Sequence, residues 1–358
     1  MIFALLFMML ALAFANGAND VSRGIATLVG SGVSSYRRAV VWGSLCTLLG
    51  ALAAAVVSRA LLATFTGTGI LLDPISDPRF LLSIALGAVA WLGIATLTGM
   101  PVSTTHSLAG ALIGSAFIAS SGIVWSALAM KIVIPLAASP LLALALLMLV
   151  LPRIRSLAGR FDHYCVCLER TDLAAVPAVG MSFSQPMPAV DVGTDASCTR
   201  PVARAGVVDS LHWISVGATS FFRGMNDAPK VMALGIGGAA LLGWSAMSTL
   251  LLVAVSMGAG SLLGGFRVTR TLAERITPIA PSDGLAANLV TSSLVGLASF
   301  LALPVSTTHV SSGAIIGIGV SRRGRDVRWK TVAEMMLAWI VTLPASALLA
   351  ATAYRLLA

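Results

Sequence analysis

Charge is scarce in this sequence. Of its 358 residues only 10% are Asp, Glu, Lys or Arg, against roughly 25% in a soluble globular domain. Residues 39–55, 80–130 and 231–266 carry none. That shortfall excludes a protein surrounded by water on every side. Aromatic residues are also few, at 6%, so Ala, Leu, Val and Gly supply most of the apolar bulk. There are four cysteines, Cys46 in an apolar run and Cys165, Cys167 and Cys198 in a polar central stretch. So few, spread so unevenly, make no disulfide framework. Cys165 and Cys167, with His163 nearby, lack the C-x₂-C spacing and the second pair of a zinc site, so this stretch reads as a loop without metal. No Walker-type Gly-rich loop is present, which argues against ATP as a direct energy source.

What fills the chain is hydrophobic residues, 57% of the total, in runs of about 20, the length of a transmembrane helix. The 34 glycines suit a place where helix backbones approach closely because lipid offers no hydrophobic drive for association. The chain is therefore expected to be an all-α integral membrane protein, with the lipid bilayer as its solvent. A net charge of +9 would suggest a nucleic-acid partner in a soluble protein. Here the basic residues sit in short loops between apolar runs, as the positive-inside rule describes, and no nucleic acid is expected. Residues 1–15 resemble the apolar part of a signal peptide but lack its positive start. They run directly into a motif that recurs internally, so a retained first helix is expected.

Two motifs occur twice, in the same order. Gly17-Ala18-Asn19-Asp20 returns as Gly224-Met225-Asn226-Asp227, and Pro101-Val102-Ser103-Thr104-Thr105-His106 returns unchanged as Pro304-Val305-Ser306-Thr307-Thr308-His309. The step from the Asn to the Ser is 84 residues in the first copy (19 to 103) and 80 in the second (226 to 306). The chain reads as two membrane repeats, 1–151 and 207–358, joined by a central segment, 152–206. That segment mixes Pro with charges of both signs and shows little periodicity, so it is expected to be a solvated linker. In the first repeat a helix runs to Asn19-Asp20, a shorter one continues to about residue 34, and spans follow at about 37–58, 80–99, 104–120 and 124–151. In the second a helix starts near residue 207, with later spans at about 244–265, 284–303, 306–320 and 331–357.

Each repeat thus makes about five crossings, or two fewer if the segments flanking Ser-Thr-Thr-His form a re-entrant hairpin. The number is odd either way, so the second repeat is expected to enter the membrane inverted. With the N-terminus outside, Arg37, Arg38, Arg153, Arg155, Arg160, Arg267, Arg270, Arg275, Arg322, Arg323, Arg325, Arg328 and Lys330 all fall on one side. Arg59, Arg79 and Arg355 fall on the other. The basic loops and the central linker are then cytoplasmic, and both termini are outside. Inverted-topology repeats with broken or re-entrant helices at the midplane are the mark of secondary transporters.

Asp20 and Asp227 are carboxylates between apolar stretches, where burial costs a few kcal/mol or more and points to a function. Glycines beside them permit an unwound helix whose carbonyls could bind an ion. Carboxylate, amide oxygen and carbonyl suit Na⁺, and a carboxylate can equally take a proton. The plainer reading is that Asn-Asp caps a half-helix, which is compatible with ion binding. The Ser-Thr-Thr motifs read as helix starts, whose free N–H groups and positive dipole end favour an anion. With two copies inverted about one axis, two such starts could converge on one anion. His106 and His309, one turn in, either satisfy a backbone carbonyl or relay protons. Arg23, Arg223 and Lys230 flank the carboxylates and either balance an anion's charge or sit at a cavity mouth. Asn288 lies in an apolar run and suits a cross-helix hydrogen bond; Asp209, His212 and Glu334 read as interfacial, and Lys131 with Pro135 as a span end or kink. A hydrolase needs one nucleophile and one base. Here every candidate is duplicated, so no enzymatic activity is expected.

These motifs resemble the inorganic phosphate transporter (PiT) family, in which two inverted copies of a domain each carry Gly-x-Asn-Asp followed by Pro-Val-Ser-Thr-Thr-His. The resemblance covers both repeats and leaves out the linker. It implies symport of inorganic phosphate with Na⁺ or H⁺ by alternating access in the cell membrane, often as a homodimer and without a cofactor. By position, the family's cation-site residues fall on Asn19, Asp20, Asn226 and Asp227, with Asp20 and Asp227 as metal ligands if the ion is Na⁺. Its phosphate-site residues fall on Ser103, Thr104, Thr105, Ser306, Thr307 and Thr308. Arg23, Arg223, Lys230, His106 and His309 are accessory positions. The chain departs from the family at Val21-Ser22-Arg23, where small residues and an Asn are usual, at Pro229 in place of Gln, and at Arg223 in place of His. Some relatives are similar to sulfate permeases, so sulfate or another tetrahedral oxyanion stands as the alternative substrate.

Overall fold

The computed structural model describes residues 1–57, 62, 65, 69–72, 77–171, 187–194, 201–303 and 305–357, with backbone alone at 56, 57, 168–171, 187–194 and 201–205. Arg59, Cys198 and Pro304 lie outside the described residues. The N-terminal helices are α1 (Ile2–Asp20), α2 (Ser22–Gly30), α3 (Tyr36–Val57), α4 (Pro78–Thr98), α5 (Thr104–Ile118), α6 (Trp125–Leu128) and α7 (Ile134–Phe161). A π-helical turn, Ala129–Val133, joins α6 to α7, and this is the kink expected at Lys131 and Pro135. Strands β1 (Tyr164–Thr171), β2 (Met187–Thr194) and β3 (Pro201–Gly206) follow. The remaining helices are α8 (Val207–Met232), α9 (Ile236–Leu241), α10 (Ala246–Gly264), α11 (Phe266–Glu274), α12 (Pro281–Phe300), α13 (Thr307–Ser321) and α14 (Trp329–Leu357).

The usual distribution of side chains is reversed. Phe3, Phe7, Leu97, Phe117, Leu263 and Leu348 are exposed, whereas Arg23, Arg223 and Lys230 are among the largest fully buried side chains. An apolar surface around a charged interior belongs in lipid. Among the described residues, six helical segments are long and apolar enough to cross a membrane: Ile2–Gly30, Tyr36–Ala55, Pro78–Thr98, Trp125–Phe161, Ala246–Gly264 and Trp329–Leu357. Helices α5 and α13 have 15 residues each. At 1.5 Å per residue that is about 22 Å, short of a hydrocarbon core of about 30 Å. The expected full crossings at 104–120 and 306–320 are thereby corrected to half-length helices that start inside the molecule.

The same local chemistry sets both starts. Helix α4 ends at Gly99, φ 75°, and Met100 N–H reaches back to the Ala95 carbonyl at 2.9 Å. Helix α12 ends the same way, with Ala302 at φ 55° and Leu303 N–H on the Ala298 carbonyl at 2.8 Å. These left-handed caps turn the chain out of one helix. Ser103 and Ser306 then start the next, each hydroxyl accepting from the backbone N–H three residues on, His106 or His309, at 3.2 Å.

Helix pairing exchanges between the halves. In the first half α1 packs on α4 and α4 on α5; in the second α8 packs on α12 and α12 on α13. Across the halves, α1 packs on α10 and α8 on α3, while α5 packs on α14 and α13 on α7. Each partnership thus has a counterpart with the halves interchanged. Glycine makes the crossings close. A side chain at Gly17 would strike the Met257 carbonyl of α10, and one at Gly224 the Thr47 carbonyl of α3. On α5, Gly110 and Gly114 sit against the carbonyls of Leu343 and Ala347; on α13, Gly313 sits against that of Pro140. Small residues four apart are a known device for such contacts. Of the apolar clusters among the described residues, two are large. One is centred on α1, α4, α5 and α10, the other on α7, α11, α12 and α13.

The glycines beside the aspartates therefore serve close packing. They do not unwind both helices: α1 yields to α2 at the single residue Val21, and α8 runs unbroken through Asn226 and Asp227. The central segment differs from a structureless linker. Helix α7 continues through Pro152 to Phe161, and β1 pairs antiparallel with β2 on one side and β3 on the other. Cys165 and Cys167 are buried and Tyr164 and Val166 exposed, the period-two alternation of a strand.

Candidate functional site

Each aspartate forms an ion pair one helical turn along its own chain. Asp20 Oδ1 is 2.9 Å from Arg23 Nη2, and Asp227 Oδ1 is 3.1 Å from Lys230 Nζ. All four side chains are at most 3% exposed. A carboxylate and a base at positions i and i+3 share one helix face, so local geometry makes each pair. Burial makes it matter, since an isolated charge in this interior would cost several kcal/mol.

The bases then reach across the repeats. Arg23 donates to Thr308 Oγ1, at 2.8 Å from Nη2 and 3.1 Å from Nε. Lys230 Nζ donates to Thr105 Oγ1 at 2.9 Å. Each also caps a carbonyl of the repeated motif, Arg23 at Val102 (2.8 Å) and Lys230 at Val305 (3.1 Å). The two ion pairs are therefore built alike, each base joining the carboxylate of its own half to a hydroxyl at the helix start of the other.

Asn16, one turn before Asp20, links the two pairs. Its Nδ2 lies 3.0 Å from Asp20 Oδ2, 3.3 Å from Asp227 Oδ2 and 2.9 Å from Thr104 Oγ1. Thr104 Oγ1 in turn donates to Asp20 Oδ2 at 3.3 Å. Asn19 Nδ2 donates to Thr96 and to the Met100 carbonyl, and Asn19 Oδ1 accepts from Arg23 at 2.7 Å. Asn226 Nδ2 donates to Asp227 and to the Val305 carbonyl, but Asn226 Oδ1 and Asn16 Oδ1 are buried and have no partner among the described residues.

The residues singled out from sequence meet here, though their tasks differ. Ser103 and Ser306 serve as N-caps, Thr104 faces Asp20, Thr105 and Thr308 receive the bases, and Thr307 is buried beside them. Arg223 donates to Thr47 Oγ1 at 2.7 Å, while its Nε and Nη1 have no partner. The rings of His106 and His309 meet across the halves at 4.6 Å, and His309 stacks on Trp339 at 4.0 Å. His309 Nδ1–H donates to the Leu136 carbonyl at 3.0 Å, the plainer of the two roles expected. Asn288 bonds across helices to Thr27 at 2.7 Å, as expected. His212 shares that hydroxyl at 3.0 Å and is wholly buried, which corrects its reading as interfacial.

Two important residues carry weaker sequence signals. Asn16 could have been found by its spacing of four from Asp20. Asp283 gives no such hint, yet it is 1% exposed and pairs with Arg155 at 2.7 Å and Arg322 at 2.5 Å.

Known proteins agree with this architecture. A probable low-affinity inorganic phosphate transporter of Bacillus subtilis (strain 168) is 30% identical, over 97% of this chain and 94% of the relative. One from Mycobacterium tuberculosis (strain ATCC 25618 / H37Rv) is 29% identical, over 97% and 75%. A solved sodium-dependent phosphate transporter shares the fold with a TM-score of 0.76 at 22% identity, over 99% of this chain and 98% of that one. Residues 16–350 match the profile of the phosphate transporter family. That stretch holds both copies of both motifs, and the chain, a multi-pass membrane protein and not an enzyme, belongs to the phosphate transporter family.

Proposed function

We propose that the chain carries inorganic phosphate across the cell membrane by secondary active symport, coupled to Na⁺ or H⁺, through alternating access between two inverted repeats. One observation carries this reading: two buried carboxylate–base pairs, bridged by Asn16, meet the starts of α5 and α13 at one closed centre. The anion binds at those helix starts, to backbone N–H groups and the hydroxyls of Thr104, Thr105, Thr307 and Thr308, with Ser103 and Ser306 holding the helices in place. Lys230 and Arg223 are the candidates to offset its charge, with Arg23 held at Asp20. Asp20 and Asp227, with Asn19 and Asn226, are the candidates for coupling to the cation. The sodium dependence of the solved relative makes Na⁺ the first ion to try.

The centre is closed to solvent on both sides, since Asp20, Asp227, Arg23 and Lys230 are at most 2% exposed. Substrate entry then needs one set of helices to shift against the other, and the exchanged pairings of α5 with α14 and α13 with α7 offer two symmetric hinges. The test is uptake of labelled phosphate into proteoliposomes under an imposed Na⁺ or pH gradient, with excess sulfate as competitor. Accumulation that follows one gradient and resists sulfate supports phosphate symport and names the ion. Entry of labelled sulfate without phosphate would move the substrate, and entry of neither would defeat the transport reading.

A further inference from the structure

Two copies of a cation-binding motif would suggest two equivalent cation positions. The two halves are not equivalent. Around the Arg23 guanidinium stand Asp20 Oδ1 (2.9 Å), Asn19 Oδ1 (2.7 Å), the carbonyls of Asn19 (2.6 Å) and Val102 (2.8 Å), and Thr308 Oγ1 (2.8 Å). A carboxylate, an amide oxygen, two carbonyls and a hydroxyl are the ligand set that a hard cation such as Na⁺ takes. The remaining oxygen of Asp20 is taken by Asn16 and Thr104. Each oxygen of this ligand set already accepts from the guanidinium.

The other side is incomplete. Lys230 Nζ meets only Asp227 Oδ1, the Val305 carbonyl and Thr105 Oγ1. Asn226 Oδ1, the counterpart of the Asn19 oxygen that Arg23 occupies, is buried and has no partner among the described residues. The two bases differ in kind as well. A guanidinium is a planar fork that engages several oxygens at once, whereas an amine on a flexible stem is a compact point charge that can swing away.

We propose that Arg23 is a built-in counter-cation: its guanidinium permanently fills the cation position at Asp20 and leaves Asp227, with the free oxygen of Asn226, as the position where the transported cation exchanges. This rests on the symport reading above and refines its stoichiometry. Transport then carries one cation fewer per phosphate than a chain with two open positions. Arg23 marks the difference, standing where the resembling family has small residues and an Asn.

The experiment measures how steeply the steady phosphate accumulation ratio in proteoliposomes follows the imposed gradient of the driving cation. The logarithmic slope counts cations per phosphate. Arg23→Gln bares Asp20 and should raise the slope by about one over wild type; Arg23→Lys, which keeps the charge, should not. The pair Asp20→Asn with Arg23→Gln removes both charges and should return the wild-type slope, whatever its rate. A wild-type slope in Arg23→Gln overturns the proposal. If that variant does not fold, the asymmetry still decides: uptake should keep its cation dependence in the doubly neutral variant and lose it in Asp227→Asn, and the reverse pattern overturns the proposal. Failure of the wild-type chain to accumulate phosphate would instead defeat the symport reading itself.

Discussion

Asn16 is where the two halves of the site stop being copies. Counting from the repeated Asn-Asp, its counterpart is Arg223. The amide spans both carboxylates, while the guanidinium turns away to Thr47. Leucine at 16 keeps the volume and removes the bridge, leaving carboxylate oxygens under-satisfied at a cost of about 1–3 kcal/mol. Since ~1.4 kcal/mol is tenfold, Asn16→Leu should cut phosphate uptake by about five- to hundredfold while the protein stays folded. Uptake within twofold of wild type would refute the bridging role. Asp283 belongs to stability instead. Its partners Arg155 and Arg322 are 36% and 30% exposed, so water relieves part of their loss when the carboxylate goes. Asp283→Leu should cost about 1–3 kcal/mol and lower the midpoint of thermal unfolding in detergent by several degrees. An unchanged midpoint would show the cluster to be ornamental. Legibility at this scale followed repetition: Asp20, Asp227 and the Ser-Thr-Thr runs announced themselves by recurring. Asn16, Asp283 and His212 occur once, and each has a partner more than 120 residues away, Asp227, Arg155 and Thr27.

Helices were the most legible level, because a charge-free run of about 20 residues admits little else in lipid. The expected span at 80–99 is observed as Pro78–Thr98, and that at 331–357 as Trp329–Leu357. Helix α11 was not foreseen: it is short and follows α10 directly, so no polar gap separates the two in sequence. Glycine was legible in number but not in purpose. Beside the aspartates it suggests unwinding, yet the backbones that approach there lie far along the chain, and only the fold reveals them. The half-helices depend most on this contact. A methyl at Gly313 would meet the backbone carbonyl of Pro140, which cannot rotate aside as a side chain could. Overpacking of this kind costs about 1–3 kcal/mol or more. Gly313→Leu should therefore displace α13, with loss of uptake and a lower unfolding midpoint. Gly93→Leu is the control, since nothing lies within 4 Å of the added carbon. Equal tolerance of both would mean that close approach is not what Gly313 provides.

At the scale of the molecule, inverted orientation was inferred from an odd number of crossings and from basic clusters alone. The fold adds an independent argument. Asp283, at the start of α12, binds Arg155 near the end of α7 and Arg322 just past the end of α13. The Arg328 N–H meets the Ile276 carbonyl after α11, and Gly30, at the end of α2 just before Arg37, lies against Ala273 of α11. Basic clusters from both repeats are thus gathered at one end of the helices. By the positive-inside rule we propose that this end faces the cytoplasm. The prediction concerns single cysteines introduced into a chain whose four native cysteines are replaced. At positions 38, 157 and 323 they should react with a membrane-impermeant maleimide only after the cell is opened. At 79 and 355 they should react in intact cells. If 38 and 323 label from opposite sides, the repeats run parallel, and a symmetric alternating-access centre loses its geometric basis. If they label together from within, the two half-helices enter the membrane from opposite faces, as two anion-binding helix starts that meet at one phosphate require.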